Sequence, residues 1–204
     1  AVAAIAEAAG ARAFDLGIAR DTYESLAEAF ARARALEADV VVTIGGASVG
    51  DYDLVAKAFA REGMDLAFHR VALRPGKPLM HGRLGSARVL GLPGNPVSSI
   101  VCAILFLRPL VRALLGDPAA AVLPLEPATL GAGLRANDLR KDFLRATLAR
   151  GADGGLVATA LPDQDSSLVA ALARADALIV REPFAPKAEA GARAEIVRLD
   201  AVGA

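Results

Sequence analysis

Gly91-Leu92-Pro93-Gly94-Asn95-Pro96-Val97-Ser98 closes one apolar stretch and opens another, and that switch decides the fold. Residues 87–91 before it have the short apolar pattern of a strand. After it, Ile100-Val101-Cys102-Ala103-Ile104-Leu105-Phe106-Leu107 continues a helix expected over 96–115. Pro96 suits the first helical position, where a missing N–H costs nothing. A strand that turns straight into a helix is the unit of an open α/β sheet. The same order recurs upstream, where Val40-Val41-Val42-Thr43-Ile44 runs into Gly45-Gly46 and a helix expected over 53–62. Helices near 1–9 and 22–36 and strands near 11–16 and 65–73 complete the alternation, which predicts an α/β fold with a three-layer, open, mostly parallel sheet. Asp21 ahead of the second helix, with Glu24 three residues on, has the arrangement of a capping box, and Leu26, Phe30 and Ala33 can share its inward stripe.

Beyond Leu114-Leu115-Gly116-Asp117-Pro118 the texture changes. Gly116 and Pro118 stop the helix. Short β-like stretches follow at 122–129, 143–149, 155–160, 176–181 and 194–199, separated by Gly, Pro and Asp. The chain therefore divides near residue 118 into an α/β domain, 1–118, and a small, mostly β C-terminal domain, 119–204.

Composition narrows the function classes. With 204 residues and 54% hydrophobic content the chain can bury a core and a satellite. Its 23 basic and 23 acidic residues cancel, so no net field recruits nucleic acid or a membrane surface, and an anion site must be a local concentration of charge. The apolar run from Val97 to Leu107 is too short to cross a bilayer. Cys102 is the one cysteine, which suits a reducing cytoplasm and reads as a packed thiol. His69 and His81 lack metal-ligand spacing, and the ingredients of a serine or cysteine triad are missing.

Two loops look built for an oxyanion. In Arg74-Pro75-Gly76-Lys77-Pro78 the prolines fix φ and Gly76 allows a turn, so Arg74 and Lys77 sit on a stiff, exposed segment. In Gly94-Asn95-Pro96-Val97-Ser98 the helix N-terminus adds N–H donors and the positive end of its dipole. Gly45-Gly46-Ala47-Ser48-Val49-Gly50-Asp51-Tyr52-Asp53 also joins a strand to a helix. Its glycines would let N–H groups face a phosphate while Asp53 or Asp51 holds a cation, although a tight turn with Asp53 as helix cap explains the same residues. Ligands of open α/β sheets lie beyond the carboxyl ends of strands, so one crevice could hold the loops at 45–53 and 92–96.

Taken in order, Leu16-Gly17-Ile18-Ala19-Arg20-Asp21, the Gly45–Asp53 segment, Arg74–Pro78 and Gly91–Ser98 resemble the molybdopterin molybdenumtransferase family, which includes the E domain of gephyrin. In the second half, Arg140-Lys141-Asp142-Phe143-Leu144-Arg145 is similar to that family's Arg-x-x-Phe-x-Arg stretch, and Gln164-Asp165-Ser166-Ser167 to its Gln-x-Ser-Ser stretch. The resemblance implies an enzyme of molybdenum cofactor biosynthesis that inserts molybdate into adenylylated molybdopterin and releases AMP, with Mg2+ as the usual cation. It implies a substrate site made of Gly45, Gly46, Ser48, Gly50, Arg74, Lys77, Pro78, Gly94, Asn95, Pro96 and Ser98, joined by Arg140 and Ser166 from the β domain. Asp53 and Asp21 would be its catalytic and metal-holding carboxylates. A cytoplasmic homodimer and a contact with a molybdopterin adenylyltransferase come with the family. The family's domain starts with a strand and a Thr-Gly-Asp-Glu-like loop that this sequence lacks, which suggests a fragment missing one strand. The alternatives are an adenylyltransferase-like nucleotide-binding enzyme, against which the β domain argues, and a gephyrin-like scaffold.

Overall fold

The computed structural model describes residues 1–46, 54–165, 167 and 169–200, so the expected site residues Ser48, Gly50, Asp53 and Ser166 lie outside the described residues. Helices α1 (Val2–Ala8), α2 (Tyr23–Ala35), α3 (Leu54–Arg61) and α4 (Pro96–Leu114) flank a four-stranded sheet in the order β1 (Val40–Ile44), β5 (Ala87–Leu92), β4 (Met80–Leu84), β2 (Asp65–Phe68). The side-chain alternation of β5 sets the layers. Val89 faces a cluster with Leu26 and Phe30 of α2 and Val55 and Phe59 of α3, where the two Phe rings stack with centroids 4.1 Å apart. Leu90 and Leu92 face the opposite way, onto Val97, Val101, Ile104 and Leu107 of α4 and Ile5 of α1. Each of these fully buried aliphatic side chains contributes about 2 kcal/mol relative to leaving it in water.

The sheet is not mostly parallel. Among the described residues of this sheet only β1 and β5 run parallel, and β5–β4 and β4–β2 are antiparallel. A two-residue loop, Gly85-Ser86, with Gly85 at φ +62°, joins β4 to β5, and so tight a turn permits only an antiparallel neighbour. Strand β4 escapes a propensity reading because His81, Gly82 and Arg83 fill its centre. Gly82 is required there, since a Cβ would lie 2.6 Å from the Asp65 carbonyl oxygen.

The expected strand at 11–16 does not form either. Residues 11–20 are irregular, and an alternating pattern makes a strand only when an edge accepts its N–H and C=O groups. The expected strand at 65–73 divides into β2 and β3 (Leu73–Arg74), because β3 leaves the sheet and pairs with the second half of the chain. Helix α2 is capped by Thr22, whose hydroxyl accepts from Ser25 N–H at 3.2 Å, and not by Asp21 with Glu24. Helix α4 is long and apolar enough to cross a membrane by length and composition, but it is the central core helix, with Val97, Val101, Cys102, Ala103 and Leu107 all buried. A π-helical turn, Ala103–Leu107, interrupts its α-helical spacing.

The second half forms β6 (Glu126–Leu130), β7 (Lys141–Arg150), β8 (Leu156–Ala160), a short helix α5 (Val169–Leu172), β9 (Ala177–Arg181) and β10 (Arg193–Arg198). The pairings β7–β8, β8–β6, β6–β10, β10–β9 and β9–β7 return to their starting strand, so the five strands close into a barrel. A five-stranded barrel has a narrow interior, and alanines fill it: Ala128, Ala146, Ala158 and Ala177 pack there with Leu130, Ile179 and Ile196. Strand β9 is buried on both faces, because Leu178 and Val180 point out of the barrel into the core around α4. With β3 paired in parallel on β7, the two halves share one apolar core and one strand edge.

Candidate functional site

The parallel pair β1 and β5 ends in register at Ile44 and Leu92, so the loops after them start side by side. Gly45 and Gly46 turn with φ +87° and +71°, and Gly45 N–H donates to the Leu92 carbonyl at 3.0 Å. A Cβ on Gly94 would lie 3.3 Å from the Gly45 Cα, so the two backbones touch where both residues are glycine. The starts of the two loops therefore lie against each other. Asn95 is the extended N-cap of α4, yet its side chain makes no capping bond and its Oδ1 is buried without a partner among the described residues. Ser98 is buried in the first turn of α4, and Pro96 stands at its head. An α-helix leaves the N–H groups of its first turn without intrahelical acceptors, so the donors of Val97 and Ser98 border the same spot.

The Arg74–Pro78 loop lies on the flank of α4. Gly76 is buried at φ +115°, and a Cβ there would sit 2.3 Å from the Cys102 Sγ. Cys102 is one helical turn beyond Ser98, so the loop and Ser98 share a face of α4. Burial pushes the Cys102 thiol up to about 12, which leaves it a neutral packing group. The Lys77 carbonyl accepts from Val71 N–H and from Leu79 N–H, each at 3.1 Å, so the backbone is held from both sides. Its side chain is exposed, and its ammonium has no ion-pair partner among the described residues.

Arg74 has a different role from that expected of an exposed loop cation. Its guanidinium pairs with Asp138 and, at 3.3 Å, with Asp142, whose side chain is 7% exposed. The register Arg74↔Asp142 between β3 and β7 creates this contact. Arg140 follows closely, since its N–H donates to Asp138 Oδ1 at 3.0 Å and its guanidinium is 3.8 Å from Asp138 Oδ2. The fold thus brings Arg74, Lys77 and Arg140 into one neighbourhood, where the two carboxylates offset the arginines and Lys77 remains uncompensated among the described residues. The Arg140 N–H and then the Arg74 side chain hold the Asp138 carboxyl below its ordinary range. Burial pushes Asp142 above it, with Arg74 opposing.

These shifts act on stability with opposite signs. The contribution of Asp142 is fully present below the ordinary carboxyl value and is lost as pH rises through its folded value, whereas that of Asp138 is lost as pH falls. Asp142→Asn removes the first effect only. The variant will gain stability relative to the parent as pH rises above about 4, the ordinary carboxyl value. Denaturant midpoints of both proteins measured upward from that pH check it, and a difference independent of pH contradicts it.

Sequence reasoning overlooked Arg145, which is 1% exposed on β7. Its guanidinium donates to the carbonyls of Asp163 at 3.3 Å and Asp165 at 3.1 Å, and its backbone exchanges two bonds with the Gln164 amide, both 3.0 Å. It therefore fixes the segment 163–165. The only signal was its place in Arg-x-x-Phe-x-Arg, because charge gives no hint of burial. Asp21 is exposed and makes no ion pair among the described residues. No three His, Cys, Asp or Glu side chains group to hold a metal ion among the described residues.

Residues 1–113 match the family described as a probable molybdopterin binding domain, and residues 127–199 match the MoeA C-terminal region, domain IV. The molybdopterin molybdenumtransferase of Haemophilus influenzae is 32% identical over 177 residues, covering 87% of this chain and 43% of the relative. The molybdenum cofactor synthesis protein cinnamon of Drosophila melanogaster is 34% identical over 187 residues, covering 88% of this chain and 30% of the relative. A molybdopterin biosynthesis moea protein from Pyrococcus horikosii has the same fold, with a TM-score of 0.77 at 26% identity, over 97% of this chain and 47% of that one. The chain spans less than half the length of each.

Proposed function

The chain belongs to the molybdopterin-binding domain family, and we propose that it carries the molybdate-insertion step of molybdenum cofactor biosynthesis, in which adenylylated molybdopterin takes up molybdate and AMP is released. One observation carries this proposal: Lys77 projects, without a carboxylate partner among the described residues, from a loop packed on the face of α4 that also holds Ser98. Molybdate is a tetrahedral dianion, and it must approach a dithiolene and a pyrophosphate that are also negative. Fixed cations and N–H donors lower that repulsion. Lys77, Pro78 and Ser98 are assigned to molybdate, with Arg140 and Ser166 from the barrel side. Gly45, Gly46, Ser48, Gly50, Gly94, Asn95 and Pro96 line the pterin pyrophosphate, and the buried Asn95 Oδ1, without a partner among the described residues, is an acceptor for a ligand N–H. Arg74, occupied by two carboxylates, holds the loop against β7.

Cleavage adds water across the phosphoanhydride, giving AMP and the molybdenum-loaded molybdopterin with its own phosphate restored. Asp53 orients that water and Asp21 assists. Thr22 rather than Asp21 caps α2, so the Asp21 carboxylate is not committed to the helix. Mg2+ belongs with Asp53 and Asp21; the described residues alone make no cation site, and the assignment stands on the first of these carboxylates. The division of the chain near residue 118, the cytoplasmic setting, a homodimer and a contact with the adenylyltransferase belong to the same proposal. The barrel, which matches the MoeA C-terminal region, favours molybdate insertion over the adenylyltransferase alternative.

The test is AMP release from adenylylated molybdopterin with and without molybdate. Release that requires molybdate is expected, and release indifferent to it sinks the proposal. Asp53→Asn should leave pterin binding intact and slow AMP release about a hundredfold or more, the scale of a lost acid–base group. Lost binding with an unchanged release rate would instead make Asp53 a positioning residue.

A further inference from the structure

Glu182-Pro183-Phe184-Ala185 is a turn in which Ala185 N–H donates to the Glu182 carbonyl at 3.1 Å, and Phe184 occupies its third position at φ +59°. Proline followed by a positive φ is the pattern of a type II turn, whose third position favours glycine. A phenylalanine there is strained by about 1–2 kcal/mol. The side chain is 75% exposed, and its ring stacks on no aromatic or cationic group among the described residues.

The turn itself is firmly held. Phe184 N–H donates to the Asp138 carbonyl at 2.7 Å, and the Asn137 side-chain amide donates to the carbonyls of Arg140 at 2.7 Å, Arg181 at 3.1 Å and Glu182 at 3.0 Å. Phe184 is therefore anchored to the loop whose Asp138 carboxylate receives Arg74 and Arg140. Leu139, 62% exposed, is the next residue on that loop. A strained, exposed aromatic and an exposed leucine thus border the cluster of Arg74, Asp138 and Arg140, which leads to Lys77 of the proposed site. They are far too small a patch for a stable protein interface, which buries on the order of 1,000 Å² or more, but they suffice to cover one face of a fused ring.

We infer that Phe184, with Leu139 beside it, is a stacking shelf for a flat nitrogen heterocycle of the substrate, either the pterin or the adenine of adenylylated molybdopterin. This rests on the proposed function, in which Lys77 and the first turn of α4 take the charged part of the same molecule. Stacking on one aromatic side chain supplies enough affinity to change a dissociation constant about tenfold.

The experiment compares the parent protein with Phe184→Gly and Phe184→Trp, measuring dissociation constants for AMP and for adenylylated molybdopterin together with thermal stability. Phe184→Gly should keep or raise the melting temperature, because glycine accepts φ +59°, while weakening binding about tenfold and raising KM without lowering kcat. Phe184→Trp should retain the parent's affinity. Weakening toward both ligands assigns the adenine, and weakening toward the whole substrate alone assigns the pterin; either supports the shelf. Unchanged affinity in Phe184→Gly overturns the shelf and leaves the proposed function standing, also where that variant alters self-association. A parent protein that binds neither ligand overturns the proposed function and the shelf with it.

Discussion

Lys77→Ala will lower molybdate-dependent AMP release by about 10²–10³-fold, the usual cost of removing one fixed donor to developing or bound negative charge. Its effect on folding will be slight. The side chain is exposed and unpaired among the described residues, and the backbone bonds at its carbonyl survive the substitution, so stability should stay within about 0.5 kcal/mol of the parent. This separation of activity from stability is what distinguishes a ligand-facing cation from a structural one. Lys77→Arg should recover part of the activity, because charge persists while the compact ammonium is replaced by a planar fork. Rates measured at several molybdate concentrations, beside a thermal melt, test both statements. An alanine variant with the parent's rate at every concentration removes Lys77 from the site.

Gly76→Ala should damage both properties at once. At φ +115° a side chain is strained by about 1–2 kcal/mol, and overlap of the new methyl with the Cys102 Sγ, 2.3 Å from the ideal Cβ position, adds about the same again. A loss of about 3 kcal/mol corresponds to a melting temperature lower by about 6–12 °C for a chain of this size. The loop must also lift from α4, which carries Lys77 away from Ser98. Part of the cost is steric, so Cys102→Ala should shrink the penalty of Gly76→Ala by about 1 kcal/mol in a double-mutant cycle. A parental melting temperature in Gly76→Ala means the loop does not pack on Cys102.

Much of this arrangement was legible in the residues themselves. Val40–Ile44 and Ala87–Leu92 are apolar runs bounded by glycine and proline, and such runs become strands wherever the core lies. The Asn95-Pro96 helix start and the strands of the second half followed from local chemistry for the same reason. What was not legible depends on neighbours. Residues 11–16 have a strand-like pattern but pair with no strand among the described residues, whereas β4 has a poor pattern and forms because a two-residue turn folds it onto β5. Barrel closure rests on the β7–β9 pairing, which no local pattern encodes.

The site shows the same division. Exposure of Lys77 followed from its stiff loop, but the diversion of Arg74 to Asp138 and Asp142 required knowing that β3 crosses to β7. Burial of Arg145 likewise depends on carbonyls of residues 163 and 165, which reach it only in the folded chain. Asp21 looked like a helix cap until Thr22 proved to be one residue better placed. Spacing can nominate charged residues, but only the fold says which charges already have partners.

The most direct measurement is a crystal structure of the protein soaked with tungstate, a heavier tetrahedral oxyanion located by its anomalous signal. The oxyanion is expected between the Lys77 ammonium and the first turn of α4 at Ser98, with Arg140 nearby. Tungstate bound elsewhere, with Lys77 and Ser98 untouched, contradicts the account.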